Sequence, residues 1–252
     1  MKATGAPTVD AGSEEALARS AVYRLLSQVF SYPTPRMVGE LRQQDLPLAV
    51  ALSSRLPDPL PRAVRELAER LRGVPLRALE RQFNGLFTHV HSADCPPYET
   101  DFTTRDVFRQ SQELADLGGF YRAFGVEPAR AQPERLDHVA VELEFLHLLS
   151  YKEAWALARG EEQRAALCQQ AQVSFLAGHL LRWVPEFARR VAALAPDTPY
   201  GAAARLTTAF LAAEAERLGV EVRRGPVGAS RGPDPGGPAL DEAPALCEGE
   251  EP

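Results

Sequence analysis

From Ser13 to Leu218 the apolar residues recur at threes and fours, and no stretch sustains an alternation at twos. That spacing suits helices docked on a shared core and leaves no material for a sheet. Proline and glycine cut the pattern into segments. Ser13 can cap a first helix, with Glu14 and Glu15 in the turn where the helix dipole favours acids. This helix runs through Leu17, Leu25, Leu26, Val29 and Phe30 and stops before Tyr32-Pro33. Thr34-Pro35 restarts a helix, with proline where its missing N–H costs nothing. Further helices are predicted at 47–54, 61–72 and 75–89.

Residues 90–103 carry Pro96 and Pro97 without a helical period, so they read as a loop of fixed path. Helices follow at 105–123, stopping at Gly125, and at 133–158, between Pro133 and Gly160. Another spans 161–183 up to Val184-Pro185, a short one reaches Leu194, and the last covers 200–218. No repeat at solenoid periods is present. The expectation is an all-α fold, one globular domain of about ten helices over residues 13–224. Residues 1–12 are small and polar, and residues 225–252 form an acidic Gly/Pro-rich tail. Both are expected to be disordered, the tail as a solvated segment rather than a decoy for basic ligands.

Charge and cysteine usage remove several function classes. The tail holds −5 of the formal net charge of −6, so residues 1–224 are close to neutral and nucleic-acid binding is not expected. No run approaches the ~18 apolar residues that span a bilayer, and Met1 to Gly12 lacks the order of a secretory signal. Arg189-Arg190 and Arg223-Arg224 lie too far along to be an export signal of this chain. A cytoplasmic protein with no stable membrane insertion is therefore expected. Cys95, Cys168 and Cys247 form no CxxC pair, which fits a reducing compartment and argues against a cysteine zinc site.

The segment Glu134 to Leu146 concentrates ionisable side chains. On the predicted helix Glu134, His138 and Glu142 stack on one face, with Leu136, Val139, Leu143 and Leu146 on another. A metal site, a proton relay and a recognition surface all fit that stripe. The metal reading lacks partners. Glu144-x-x-His147 is one Glu-x-x-His spacing where a di-iron bundle needs two, and HExxH is absent. No G-x-S-x-G elbow, phosphate loop or GxGxxG is present either, so no metal, no cofactor and no enzyme activity are expected. The bland alternative is that Glu134 pairs with His138 and the histidine is a satisfied core residue. Phe83, Leu86 and Phe87 read as packing, with Gly85 permitting a close helix contact. Trp155 and Trp183 read as core or edge aromatics.

Several short pieces then occur in order: Phe83-Asn84-Gly85-Leu86-Phe87, Pro97-Tyr98-Glu99-Thr100, and Glu134 through Asp137-His138 to Glu142-Leu143-Glu144-Phe145. Phe175-Leu176-Ala177-Gly178-His179-Leu180 follows, with Trp183-Val184-Pro185 and Phe187. In this order the chain resembles the redox-enzyme maturation chaperones typified by those of trimethylamine-oxide, dimethylsulfoxide and nitrate reductases, over about residues 14–218. Leu117 to Gly125 is similar to the delta subunits accompanying periplasmic molybdenum oxidoreductases. The family often has Glu-Pro-Asp-His, whereas Arg135-Leu136 separates Glu134 from Asp137 here.

The resemblance implies a cytoplasmic chaperone, monomer or dimer. Its partner would be a molybdopterin-containing catalytic subunit with a twin-arginine signal peptide. It would aid cofactor insertion and delay export until folding is complete. Asp137, Glu99, Glu142 and Glu134 are then the expected carboxylates for the arginine pair. His138 would orient one of them, with a charge that changes near neutral pH. Tyr98, Pro97, Phe83 and Phe87 would line a groove for the following apolar residues. An integral accessory subunit of the oxidoreductase and a small His/Glu metalloenzyme are the alternatives.

Overall fold

The computed structural model describes residues 11–88, 95–104, 106–127 and 134–220. Among these, regular structure is helical, and the only extended pairing is an isolated antiparallel bridge between Tyr98 and His138. The first helices are α1 (Ala11–Phe30), α2 (Pro35–Glu40), α3 (Leu46–Leu52), α4 (Leu60–Leu71), α5 (Leu76–Phe87) and α6 (Thr100–Thr103). They are followed by α7 (Val107–Ala123), α8 (Val139–Ala158), α9 (Glu162–Phe175), α10 (Leu181–Leu194) and α11 (Pro199–Leu218). π-Helical turns at Leu41–Asp45 and Leu176–Leu180 join α2 to α3 and α9 to α10. The expected tail lies outside the described residues.

Two helices form the axis of the fold. Ser20 Oγ lies 2.8 Å from His147 Nδ1, and Ser27 Oγ donates to the Ala140 carbonyl at 2.8 Å. Rising numbers on α1 thus meet falling numbers on α8, and the pair runs antiparallel. Both helices are buried on most of their circumference, which is why their apolar residues form no narrow stripe. Arg19, only 3% exposed, lies among them. Its guanidinium reaches Glu153 at 3.0 Å, Gln172 at 3.1 Å and Glu214 at 3.6 Å, joining α1 to α8, α9 and α11. A buried charge of this kind is tolerable only because its partners are ionised or hydrogen-bonding. The outer helices are amphipathic, as α4 shows with Leu60, Val64, Leu67 and Leu71 on its buried face.

Several boundaries follow the sequence. Thr34 caps α2 through a 3.2 Å bond from the Met37 N–H. Gly125 and Gly160 sit at φ 74° and 69° after α7 and α8. Other boundaries differ. The first helix already includes Ala11, so Ser13 lies inside it, buried, rather than capping it. The break expected at Val184-Pro185 is absent: α9 runs through the π turn into α10, and Pro185 is carried near the start of α10. Part of the expected loop is the short helix α6. The expected helix over 133–158 begins only at Val139, so Glu134, His138 and Glu142 do not share a helix face.

Gly85 also reads differently in the fold. A Cβ there would meet no atom within 4 Å, whereas one on Gly201 would stand 2.1 Å from the Ala195 carbonyl oxygen. The close approach is therefore at the start of α11. Gly201→Ala is expected to cost more than about 2 kcal/mol of unfolding free energy, read as a lower urea midpoint. Gly85→Ala should raise stability by about 0.5–1 kcal/mol, since α5 gains a better helix former at no steric cost.

Candidate functional site

The residues singled out around 97–100 and 134–142 meet because two stretches of backbone pair. The Val139 N–H donates to the Pro97 carbonyl and the Glu99 N–H to the Asp137 carbonyl, each at 2.9 Å. This pairing draws residues 137 and 138 out of any helix and fixes where α8 can start. His138 becomes its N-cap, with Nδ1 accepting from the Ala140 N–H at 3.1 Å. The Tyr98 ring packs edge-on to the imidazole, 5.2 Å between centroids.

Asp137 lies at the bottom of a small cradle, its side chain 0% exposed. It accepts from the Thr100 hydroxyl at 2.8 Å and from the Thr100 backbone N–H at 3.3 Å. Arg135 closes it from above. Nε donates to Oδ1 at 3.0 Å and Nη2 to Oδ2 at 2.9 Å, a paired carboxylate–guanidinium contact. Nη2 also reaches the Thr100 hydroxyl at 2.9 Å, and the guanidinium carbon lies 4.2 Å from the centre of the Tyr98 ring. The Arg135 side chain is 47% exposed, so the carboxylate is buried while its partner faces water. The Tyr121 hydroxyl donates to the Leu136 carbonyl at 2.8 Å and steadies the turn from α7.

Behind the cradle lies a second acid. Glu99 is fully buried, with Oε2 3.0 Å from His179 Nδ1 and Oε1 3.4 Å from Arg182. Arg182 also donates to Glu113 at 3.0 Å, and Glu113 accepts from the Thr103 hydroxyl at 2.6 Å. Burial holds the Glu99 carboxyl above the ordinary range, opposed by His179 and Arg182. Glu142 is also fully buried. Trp183 Nε1 donates to one of its oxygens at 3.2 Å, and the other has no hydrogen-bond partner among the described residues. Burial and then the nearby Glu99 charge push this carboxyl well above its usual range.

The structure thus gathers Pro97, Tyr98, Glu99, Asp137 and His138, with Glu134 at the rim, its Oε1 accepting from the Arg135 N–H at 3.0 Å. Glu142 stands one turn into α8 and is fully buried. Phe83 and Phe87 do not line an open groove. Both are buried in an aromatic cluster with Phe30, Tyr200 and Phe187, their rings 5.0 Å apart, because α5 turns its apolar face inward. His138 is not poised near neutral pH, since burial lowers it to about 4 and leaves it a neutral cap. Sequence reasoning passed over Arg135, Thr100, His179 and Arg182 as site residues. Their signal was adjacency, Thr100 to Glu99 and Arg135 to Asp137, with His179 and Arg182 inside the C-terminal helical signature. Trp183 is core and Trp155 an edge aromatic, 46% exposed.

Among the described residues no helix is long and apolar enough to cross a membrane. Residues 53–189, which contain every residue of the cradle and its support, match the sequence profile of the family described as nitrate reductase delta subunit. The chain is 32% identical over 159 residues to the chaperone protein TorD of Vibrio cholerae serotype O1, covering 60% of this chain and 70% of that protein. It is 29% identical over 207 residues to the chaperone protein TorD of Aeromonas salmonicida, covering 79% and 91%. It is also 29% identical over 177 residues to the perchlorate reductase assembly chaperone protein of Dechloromonas aromatica, covering 68% and 77%.

The buried groups set opposite pH limits. His138 titrates lower in the folded chain than in the unfolded one, so its contribution is complete above pH about 6.5 and is lost as the pH falls towards 4. Replacing it with asparagine, which also caps, should remove an acid-side loss on the order of 3 kcal/mol. The check is the difference in melting temperature between neutral and acidic buffer, which narrows in H138N. Glu142 has the reverse sign. Its raised carboxyl is harmless below the unfolded value and destabilises as the pH climbs through the folded one. Glu142→Gln should therefore melt higher than the parent in mildly alkaline buffer and lose that advantage in acid.

Proposed function

Because the chain belongs to the nitrate reductase delta subunit family, we propose that it is a redox-enzyme maturation chaperone for the catalytic subunit of a molybdopterin oxidoreductase. It is not an enzyme. It binds the cofactor-free client in the cytoplasm, engages its twin-arginine signal peptide, and holds it back from export until the cofactor is inserted. The relatives named chaperone protein TorD and perchlorate reductase assembly chaperone protein support this class of function.

The observation that carries the reading is the cradle of Asp137, Thr100 and Tyr98. A carboxylate buried on one side and capped by an aromatic ring recognises a planar guanidinium better than an ammonium. Two parallel N–H donors match the two carboxylate oxygens, and the ring takes the flat face of the cation. Glu134 extends acid character along the rim. Glu99, with His179 and Arg182, acts from behind by fixing the segment that carries Tyr98 and Thr100. Glu142 acts more remotely, through Trp183. Client binding then depends on surface presented by residues 97–100 and 134–138 rather than on Phe83 and Phe87.

The test varies the peptide and leaves the protein intact. Calorimetry with the client's signal peptide should show binding that weakens by about tenfold or more when both arginines become lysines. Equal affinity for the two peptides would exclude arginine recognition. The family's description as a subunit favours one further reading, an accessory subunit of the mature enzyme. Such a subunit would co-purify with the cofactor-loaded oxidoreductase, whereas a chaperone is recovered with the apo form alone.

A further inference from the structure

We infer that the Asp137–Thr100–Tyr98 cradle is a guanidinium-binding site whose resting occupant is the chain's own Arg135, which an incoming arginine must displace. The inference rests on the chaperone reading for the source of that arginine, but not for the existence of the site.

The receptor half is built without help from Arg135. Asp137 is held through its own carbonyl by Glu99, and the neighbouring Leu136 carbonyl by the Tyr121 hydroxyl. Thr100 sits at the start of α6, where both its N–H and its hydroxyl point at the Asp137 carboxylate. Tyr98 is locked by the bridge to His138 and by edge contact with its ring. Each wall of the cradle therefore belongs to a paired backbone segment or a helix end.

The occupant half is attached differently. Arg135 lies in an exposed turn, its N–H taken by its neighbour Glu134 and its carbonyl accepting from His138 at 3.1 Å. Neither bond constrains its side chain. Three guanidinium hydrogen bonds and the stacking on Tyr98 are the contacts that place it. The head is half exposed while the carboxylate beneath it has no exposure at all. Swinging Arg135 outwards would uncover a ready-made receptor for a second guanidinium without moving the backbone.

The arrangement has an energetic logic. A carboxylate buried beneath the surface without a counter-charge is costly, so an empty cradle would weaken the fold. Arg135 supplies the charge when no client is present. Exchange of one guanidinium for another then preserves the hydrogen bonds and the neutrality of the site. A tethered occupant also competes at high effective concentration, so a lone arginine is rejected. A ligand enters only when contacts outside the cradle add to its affinity, which selects an arginine presented by an extended partner over free arginine. The apparent affinity is reduced by the fraction of chains whose cradle is open.

Methylguanidinium chloride probes the site alone. Arg135→Ala should melt below the parent, and millimolar methylguanidinium should raise its melting temperature by more than it shifts the parent, while methylammonium does not. In the same variant, affinity for the twin-arginine peptide should rise by about tenfold or more as the competitor is removed. If the alanine variant does not fold, Arg135→Lys keeps the charge and loses the paired contact, so methylguanidinium should stabilise it more than the parent. Identical methylguanidinium shifts in parent and variant overturn the inference, whatever the peptide does. Selective stabilisation of the variant with peptide affinity unchanged keeps the site and sinks its link to the client. Peptide binding that requires arginine yet ignores Arg135, with no methylguanidinium effect, leaves the chaperone reading standing and this inference refuted.

Discussion

Two backbone hydrogen bonds, from Val139 to Pro97 and from Glu99 to Asp137, organise the functional end of this molecule. They bring a proline-bearing loop against the first residues of α8 and leave two acids, Glu99 and Asp137, beneath the surface. Once there, neither acid can stay unpaired at low cost. Each has recruited a guanidinium, Arg135 from the adjoining turn and Arg182 from α10, and Glu99 has His179 as well. The same pairing decides the helix boundary, because a residue committed to a bridge cannot also be helical. His138 is left as the cap, a role that needs its neutral form.

The buried acids differ in how they are satisfied. Asp137 accepts four hydrogen bonds, two of them from a cation. Glu142 accepts one from Trp183 and has an oxygen with none among the described residues. A carboxyl in that position is protonated at little cost and ionised at great cost, so burial favours its neutral form. The axis of the fold shows the opposite solution, since Arg19 reaches the carboxylates of Glu153 and Glu214 and the amide of Gln172 across three helices.

Much of the architecture was legible in the residue spacing. Threes and fours without twos meant helices, and Thr34-Pro35, Gly125 and Gly160 marked real boundaries. What spacing could not show was where tertiary pairing overrides a local period. Glu134, His138 and Glu142 have helical intervals, yet the first two lie outside α8 because Tyr98 and Glu99 compete for that backbone. Arg135 entered the sequence reading as a departure from a familiar pattern. In the fold it is the side chain lying on Asp137. No spacing could pair His179 with Glu99, its partner eighty residues away in sequence. Gly85 suggested close packing, but the glycine that has no room for a side chain is Gly201, whose neighbour is a carbonyl oxygen invisible to any residue pattern.

The π turn at Leu176–Leu180 makes a continuous rod from α9 and α10 while adding one residue to its winding. One extra residue advances the facing direction by about 100°. α9 packs on α8, and α10 packs on α11. The turn is thus a phase shifter, set by the number of residues it holds more than by their identity. His179 sits inside it and Arg182 just beyond, so the aim of both towards Glu99 is fixed by that count. In this rod a deletion of one residue would act as a rotation, felt at the cradle through partners that were themselves left unaltered.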